Sequence, residues 1–99
     1  IINAGAILGA NVIVNSGAIV EHDCVLSDHI HVATGARLAS TVHVGERTHI
    51  GLGAVVRQYI RIGRDSIVGA GAVVVKDIPD NVIVAGVPAR ILRRMDNDG

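Results

Sequence analysis

The chain has 99 residues, and its nine basic and nine acidic residues give a formal net charge of zero at pH 7. Hydrophobic residues make up 49% of it and aromatic residues 1%, so it offers neither a basic face for phosphates nor an aromatic platform for bases, which argues against nucleic-acid binding. The single cysteine, Cys24, excludes an internal disulfide, and no apolar run is long enough to span a membrane. We therefore expect one small cytoplasmic domain.

From Ile2 to Pro79 the chain divides into thirteen consecutive hexapeptides with no break in register. The first residue of each is Ile, Val or Leu, the fifth is small or aliphatic, and the second is Gly or Asn in seven of the thirteen. Because side chains alternate along a strand, positions five and one point inward and position six outward, which predicts three-residue strands. Gly or Asn at position two is expected to adopt the positive φ of a turn. Repetition of this unit predicts a parallel β-solenoid.

The outward sixth positions predict a contact surface. Seven of the thirteen are Ile or Val, although a prism that stays alone in water would carry polar residues there. A chain of this length also buries its surface inefficiently when it folds alone. We therefore expect the solenoid to associate with copies of itself.

The hexapeptide pattern resembles that of the hexapeptide-repeat acyltransferases. The resemblance implies an all-β fold, a left-handed parallel β-helix with three hexapeptides per coil, and a homotrimer of parallel prisms. Residues 1–79 are expected to form this β-helix. Residues 80–99, which follow the break in register at Pro79, are expected to form a short C-terminal cap segment and a basic tail.

Two stretches resemble a narrower group, the bacterial sialic-acid O-acetyltransferases and UDP-amino-sugar N-acetyltransferases. They are NSGAIVEHDCVLSDHIHVATGA (residues 15–36) and IPDNVIVAGVPAR (residues 78–90). The resemblance implies that acetyl-CoA is the co-substrate; no metal cofactor is expected. It also implies direct transfer of the acetyl group to an amine or hydroxyl of a sugar or nucleotide-sugar.

Acetyl transfer from a thioester needs a base for the acceptor's proton and a hydrogen-bond donor for the developing oxyanion. By position in the motif, the resemblance makes His22 the general base and Asp23 the acid that increases its basicity. Glu21 is a second acid beside His22. Ser40, one coil above His22, takes the place of a glycine whose amide contacts the thioester carbonyl.

The resemblance assigns the remaining cofactor contacts. His31 matches a histidine that contacts acetyl-CoA, Leu52 and Ala70 match positions that line the pantetheine, and Arg90 is placed near a phosphate at the adenosine end. His22 and His31 are nine residues apart, which is half of an 18-residue coil. They should therefore lie on opposite parts of one prism, and a site that uses both would combine two subunits.

The sequence gives less support to other chemical roles for its cysteine and histidines. Cys24 at an inward position is expected to be packing rather than an acyl-cysteine nucleophile, and His29, His43 and His49 are expected to be surface residues. The histidine spacings of 7, 2, 12 and 6 do not provide the paired zinc ligands of a γ-type carbonic anhydrase.

Two further function classes stay open. A non-catalytic or ice-binding solenoid would be favoured by a ladder of outward threonines, but Thr34, Thr41 and Thr48 do not share a column. A serine-type or antibiotic-type acetyltransferase of another hexapeptide branch is the alternative enzyme. Related sugar acetyltransferases carry a preceding α/β domain that binds the acceptor. A chain that starts in mid-repeat at Ile1 is expected to be a C-terminal fragment without that domain, or the ordered portion of a longer protein.

Overall fold

The computed structural model describes residues 1–95, which contain fourteen β-strands and no helix, and so no helix that could cross a membrane. Each of the first twelve strands has two residues, at position six of one hexapeptide and position one of the next, whereas the hexapeptide pattern predicts three. These strands are β1 (Ile7–Leu8), β2 (Ile13–Val14), β3 (Ile19–Val20), β4 (Val25–Leu26), β5 (His31–Val32), β6 (Arg37–Leu38), β7 (His43–Val44), β8 (His49–Ile50), β9 (Val55–Val56), β10 (Arg61–Ile62), β11 (Ile67–Val68) and β12 (Val73–Val74). The last two strands are β13 (Val82–Ala85) and β14 (Arg90–Arg94).

The strands form three sheets, which are the faces of a triangular prism. Face one contains β1, β4, β7 and β10, face two contains β2, β5, β8, β11, β13 and β14, and face three contains β3, β6, β9 and β12. Parallel neighbours pair in a register of 18 residues, as in Val25↔His43 and His31↔His49. Three hexapeptides therefore complete one coil, and about four coils stack into a parallel β-helix with the left hand that the family resemblance implies.

The core of the prism is a stack of aliphatic side chains from positions one and five. Val20, Val32, Leu38 and Ile50 are among those that are fully buried. Two polar side chains also occupy position five in the core. The hydroxyl of Thr48 donates to the carbonyl oxygen of Gly63 at 2.7 Å, and that of Ser66 donates to the carbonyl oxygen of Pro79 at 2.9 Å, so neither is left without a partner.

Three corners join the faces, and each corner is named here for the face that it precedes. The first corner comprises residues 3–5, 21–23, 39–41 and 57–59. The second corner comprises residues 9–11, 27–29, 45–47 and 63–65, and the third comprises residues 15–17, 33–35, 51–53 and 69–71. Each set stacks along the prism, so residues 18 apart in one corner are neighbours.

The turn prediction was wrong about which position carries the positive φ. It is position four, as at Asp23 (64°) and His29 (60°). The glycines at position two have other backbone angles and are required for a different reason. A side-chain carbon at Gly45 would lie 2.6 Å from the backbone nitrogen of Arg64, and one at Gly51 would lie 2.7 Å from that of Ala70. Glycine at position two therefore allows the next coil to approach closely.

The segment after Pro79 extends face two. β13 pairs in parallel with β11, and β14 folds back to pair antiparallel with β13, so part of the predicted basic tail is a strand. Between the two strands lies a Gly-Val-Pro turn, in which Gly86 has a φ of 98°. Residues 96–99 of the predicted cap segment lie outside the described residues.

Candidate active site

His22 and Asp23 lie side by side at the first corner, with side chains that are 61% and 64% exposed. His22 Nδ1 is 3.3 Å from Asp23 Oδ2. An ionised carboxylate only accepts hydrogen bonds, so this contact places the proton of a neutral ring on Nδ1. His22 Nε2 is then left with a free lone pair that can take a proton from another molecule.

The other acid beside His22 is held elsewhere. Glu21 accepts a hydrogen bond from Asn3 Nδ2 at 2.9 Å and one from an Arg37 guanidinium nitrogen at 2.9 Å. These two bonds connect three successive coils of the prism. Of the two carboxylates that the sequence offers as partners for the His22 ring, Asp23 is therefore the one that contacts it.

Ser40 lies above His22 in the same corner, as the 18-residue period predicts. The Thr41 N–H donates to the His22 carbonyl oxygen at 3.1 Å, and the Ser40 carbonyl oxygen accepts from the Tyr59 N–H at 3.1 Å. Within residues 1–95 the Ser40 N–H has no acceptor. The first corner thus combines an imidazole, a carboxylate that contacts it and a backbone N–H that has no acceptor within residues 1–95.

His31 lies on face two, which is opposite the first corner across the packed core. Its ring meets that of His49 edge to face with centroids 4.7 Å apart, and Asn15 Nδ2 lies 2.7 Å from His31 Nε2. Partial burial and the neighbouring His31 ring lower the pKa of His49. The structure therefore separates His22 from His31 within one chain, as expected from their spacing.

The other predicted cofactor residues lie on the same side of the prism as His31. Leu52 and Ala70 stack at the third corner, which borders face two, and the Leu52 side chain is 60% exposed. Arg90 is the first residue of β14 and is exposed at the upper end of face two. The seven predicted residues thus form two groups: His22, Asp23 and Ser40 at the first corner, and the other four on face two and the third corner.

Cys24 lies directly inside the first corner and is fully buried. Its thiol donates to the carbonyl oxygen of Ala39 at 3.1 Å, and burial raises the pKa of the thiol. A buried, protonated thiol is a poor nucleophile. The structure therefore agrees with the prediction that Cys24 is a packing residue.

Three polar residues that contact His31 or Glu21 were not predicted from the sequence. Asn15 contacts His31, while Asn3 and Arg37 hold Glu21. In each of these pairs the partners are 16 or 18 residues apart, so a search for polar residues at about one coil's separation would have named them as candidates, although it would not have shown the contacts.

Face one carries a groove of about 570 Å³ that includes none of the predicted site residues. His43, Arg61 and Asp77 line it together with aliphatic side chains between them. Throughout residues 1–95, no three His, Cys, Asp or Glu side chains come together in a way that could hold a metal ion.

No protein-family model matches the chain, and no curated protein matches it. Solved structures do. A histidine-to-asparagine variant of perosamine N-acetyltransferase from Caulobacter crescentus, in complex with CoA and GDP-perosamine, is 48% identical with a TM-score of 0.92, and the match covers 93% of this chain and 44% of that one. The acetyltransferase domain of PglB from Neisseria gonorrhoeae is 46% identical with a TM-score of 0.91, over 92% of this chain and 44% of that one.

A serine acetyltransferase from Neisseria gonorrhoeae has nearly the same fold but a less similar sequence. It is 30% identical with a TM-score of 0.90, and the match covers 98% of this chain and 42% of that one. The chain thus spans less than half the length of each of these proteins. With its hexapeptide β-helix and its higher identity to the first two proteins, the chain is similar to the hexapeptide-repeat sugar acetyltransferases.

Proposed function

We propose that this chain is the acetyl-transferring part of an enzyme that moves an acetyl group from acetyl-CoA to the amine of a nucleotide-linked amino sugar. The observation that carries the proposal is the 48% identity, over 93% of the chain, to an N-acetyltransferase solved with CoA and GDP-perosamine. The pairing of His22 with Asp23 supports it, because that corner has the groups that acyl transfer to an amine requires.

In the proposed reaction His22 Nε2 removes a proton from the acceptor amine as the amine nitrogen attacks the thioester carbonyl. Asp23 keeps the ring in the required tautomer and stabilises the imidazolium that forms. The Ser40 N–H donates to the developing oxyanion. When the carbon–sulfur bond breaks, the imidazolium returns the proton to the sulfur of CoA, so that His22 is neutral again.

The acetyl-CoA is proposed to lie along the other group of residues. Leu52 and Ala70 offer an apolar edge without charge, which suits the pantetheine arm. Arg90, at the end of that edge, would meet a phosphate of the nucleotide. His31 would contact the cofactor from face two, between these residues and the neighbouring subunit.

We propose that the active protein is a homotrimer whose subunits meet through face two, the third corner and face three. These surfaces present Ile13, Val55 and Ile67, which are 54%, 39% and 38% exposed in the single chain. The twelve residues of the third corner include no charged residue, whereas the first and second corners carry several. In this assembly His22 of one subunit would face His31 of a neighbouring subunit.

The proposal also includes the domain organisation of the chain and the cellular location of the enzyme. Residues 1–79 would form the catalytic repeat unit and residues 80–99 its cap. A free, buried Cys24 is compatible with the reducing cytoplasm, where we place the enzyme.

The test is a thiol-release assay with purified protein, acetyl-CoA and a panel of acceptors, together with calorimetric titration of acetyl-CoA. We expect acetyl-CoA to bind and a nucleotide-linked amino sugar, beginning with GDP-perosamine, to be acetylated. The matched acceptor with a hydroxyl in place of the amine should react far more slowly. Transfer to serine but to no nucleotide sugar would favour the serine-type alternative, and absence of acetyl-CoA binding would favour a structural solenoid.

A further inference from the structure

The turn directly below Asp23 in the first corner determines where the Asp23 side chain can lie. Gly5 precedes Asp23 by one coil and occupies the same position of its hexapeptide, and the Asp23 N–H donates to the carbonyl oxygen of Ala4 at 3.2 Å. A side-chain carbon at Gly5 would overlap Asp23 Oδ1 and would lie 3.3 Å from Asp23 Cγ. The Asp23 carboxylate therefore occupies the space that a side chain on residue 5 would fill.

Backbone conformation does not explain why this position is glycine. Gly5 has a φ of 77°, but Thr41 and Tyr59 adopt φ values of 59° and 63° at the equivalent positions of the same corner. This corner thus tolerates a side chain in the left-handed region. Residue 5 differs from Thr41 and Tyr59 in that the Asp23 carboxylate lies against it.

The other glycines at position four do not border an ionisable group. A side-chain carbon at Gly35, Gly53 or Gly71 would meet nothing within 4 Å, and one at Gly17 would lie 3.9 Å from its nearest neighbour, a backbone nitrogen. The overlap with a carboxylate is therefore particular to Gly5 among the position-four glycines of residues 1–95.

We propose that Gly5 is a positioning residue for His22: by leaving room for the Asp23 carboxylate, it allows that carboxylate to bind His22 Nδ1. This inference rests on the proposed function for its catalytic meaning, but the contact itself does not. Because Asp23 is exposed and its side chain can rotate, a methyl group on residue 5 would displace the carboxylate rather than unfold the corner. The ring would then lose the partner that holds the proton on Nδ1.

The direct test is the tautomer of the His22 ring, read from imidazole nitrogen chemical shifts at a pH where the ring is neutral, on protein without substrates. We expect the Nδ1–H form to predominate in the parent protein and to give way to the Nε2–H form in Gly5→Ala. Asn11→Ala places alanine in the same left-handed region at the second corner of the same coil, where φ is 55°, and should leave the His22 tautomer unchanged.

A double-variant cycle tests whether Gly5 acts through Asp23. Asp23→Gly should shift the tautomer by itself, and Gly5→Ala should add no further change to it. In the thiol-release assay the two single variants and the double variant should lose kcat by the same factor. Additive losses, or an unchanged tautomer in Gly5→Ala, would overturn the inference.

Two features of the design keep the outcomes separate. If Gly5→Ala does not fold, Gly5→Asn carries a side chain that tolerates the left-handed region and still enters the carboxylate's space, so it takes the place of the alanine variant. If the tautomer responds as expected but the protein transfers no acetyl group, the positioning inference stands and the proposed function fails.

Discussion

His22 differs from the other histidines in what its ring contacts. His29 is 3.3 Å from the Asn11 side chain, and His31 and His49 contact each other, whereas His22 is the histidine within 4.0 Å of a carboxylate in residues 1–95. A carboxylate partner both orients an imidazole and stabilises its protonated form. This contact is the physical reason to choose His22 as the base.

Replacing His22 by alanine should lower kcat by about 10²–10⁴-fold, the range for a positioned acid–base group. Acetyl-CoA affinity should change little, because the imidazole acts on the acceptor. Asp23→Asn should cost less than His22→Ala, since asparagine tolerates the left-handed backbone and no proton passes through this residue.

The control for this measurement is His29→Asn, which alters an exposed histidine at the second corner of the same coil and should leave kcat unchanged. Thiol release at saturating substrates is the readout. If His22→Ala kept more than about a tenth of the parent kcat, His22 would not be the general base.

The hexapeptide period predicts the corner of His22 but not which acid contacts the ring; only the family resemblance points to Asp23. Glu21 and Asp23 flank the histidine equally along the chain. Their different roles depend on Asn3 and Arg37, which reach Glu21 from the coils below and above. Contacts between coils depend on side-chain conformations, and those do not follow from the hexapeptide period.

At the scale of the turns, the sequence predicts the strands and the inward positions but assigns the positive φ to the wrong residue. The period of six locates every coil because burial alternates strictly along a strand. Position four carries Asn, Asp, His, Thr, Arg, Tyr and Gly in different coils, so residue type does not reveal its left-handed conformation. Glycine at position two suggested that conformation, although its actual role is close packing.

Replacing Gly45 by alanine tests that packing role. A methyl group there would press on the backbone of the next coil, and we expect the free energy of unfolding to fall by about 1–3 kcal/mol. Ser27→Ala, at position two one coil below in the same corner, should change it by no more than about 0.5 kcal/mol. Denaturant unfolding at one protein concentration is the measurement, and equal stability of the two variants would refute close packing as the reason for glycine.

The histidine pair on face two predicts a pH dependence of stability. Burial and His31 lower the pKa of His49 below its ordinary value of 6.5, so the folded state prefers the neutral ring. As the pH falls below that value the unfolded chain binds more protons than the folded one, and stability is lost. We expect the thermal midpoint to fall between about pH 7.5 and 5.5, and to fall less in His49→Gln; an equal fall in that variant would assign the effect to other groups.

For the whole molecule, the distribution of charge decides which surfaces can meet. The second corner carries ion pairs such as Arg47 with Asp65, at 2.7 Å, and Arg64 with Asp80, at 3.5 Å. Charged groups of this kind are costly to bury in an interface. The uncharged third corner and the apolar columns beside it are the better contact surface.

Ile67→Asp on face two should therefore dissociate the proposed trimer, because it would bury a carboxylate among apolar side chains. The matched control is Ile7→Asp on face one, where the parent side chain is 62% exposed and the proposed assembly leaves it in water. Sedimentation at micromolar concentration reads the result. A stable monomer of the parent protein, or dissociation by Ile7→Asp alone, would contradict this arrangement.

The central claim is that acetyl transfer uses His22 of one subunit and His31 of its neighbour, and mixed trimers test it directly. His22→Ala lacks the base, and His31→Ala should bind acetyl-CoA weakly, so at limiting acetyl-CoA each homotrimer should be nearly inactive. Random mixing in equal amounts places an intact His22 next to an intact His31 in about a quarter of the sites of a cyclic trimer. Recovery of about a quarter of the parent rate is the predicted result; a mixture no more active than the average of its two components would contradict the shared site.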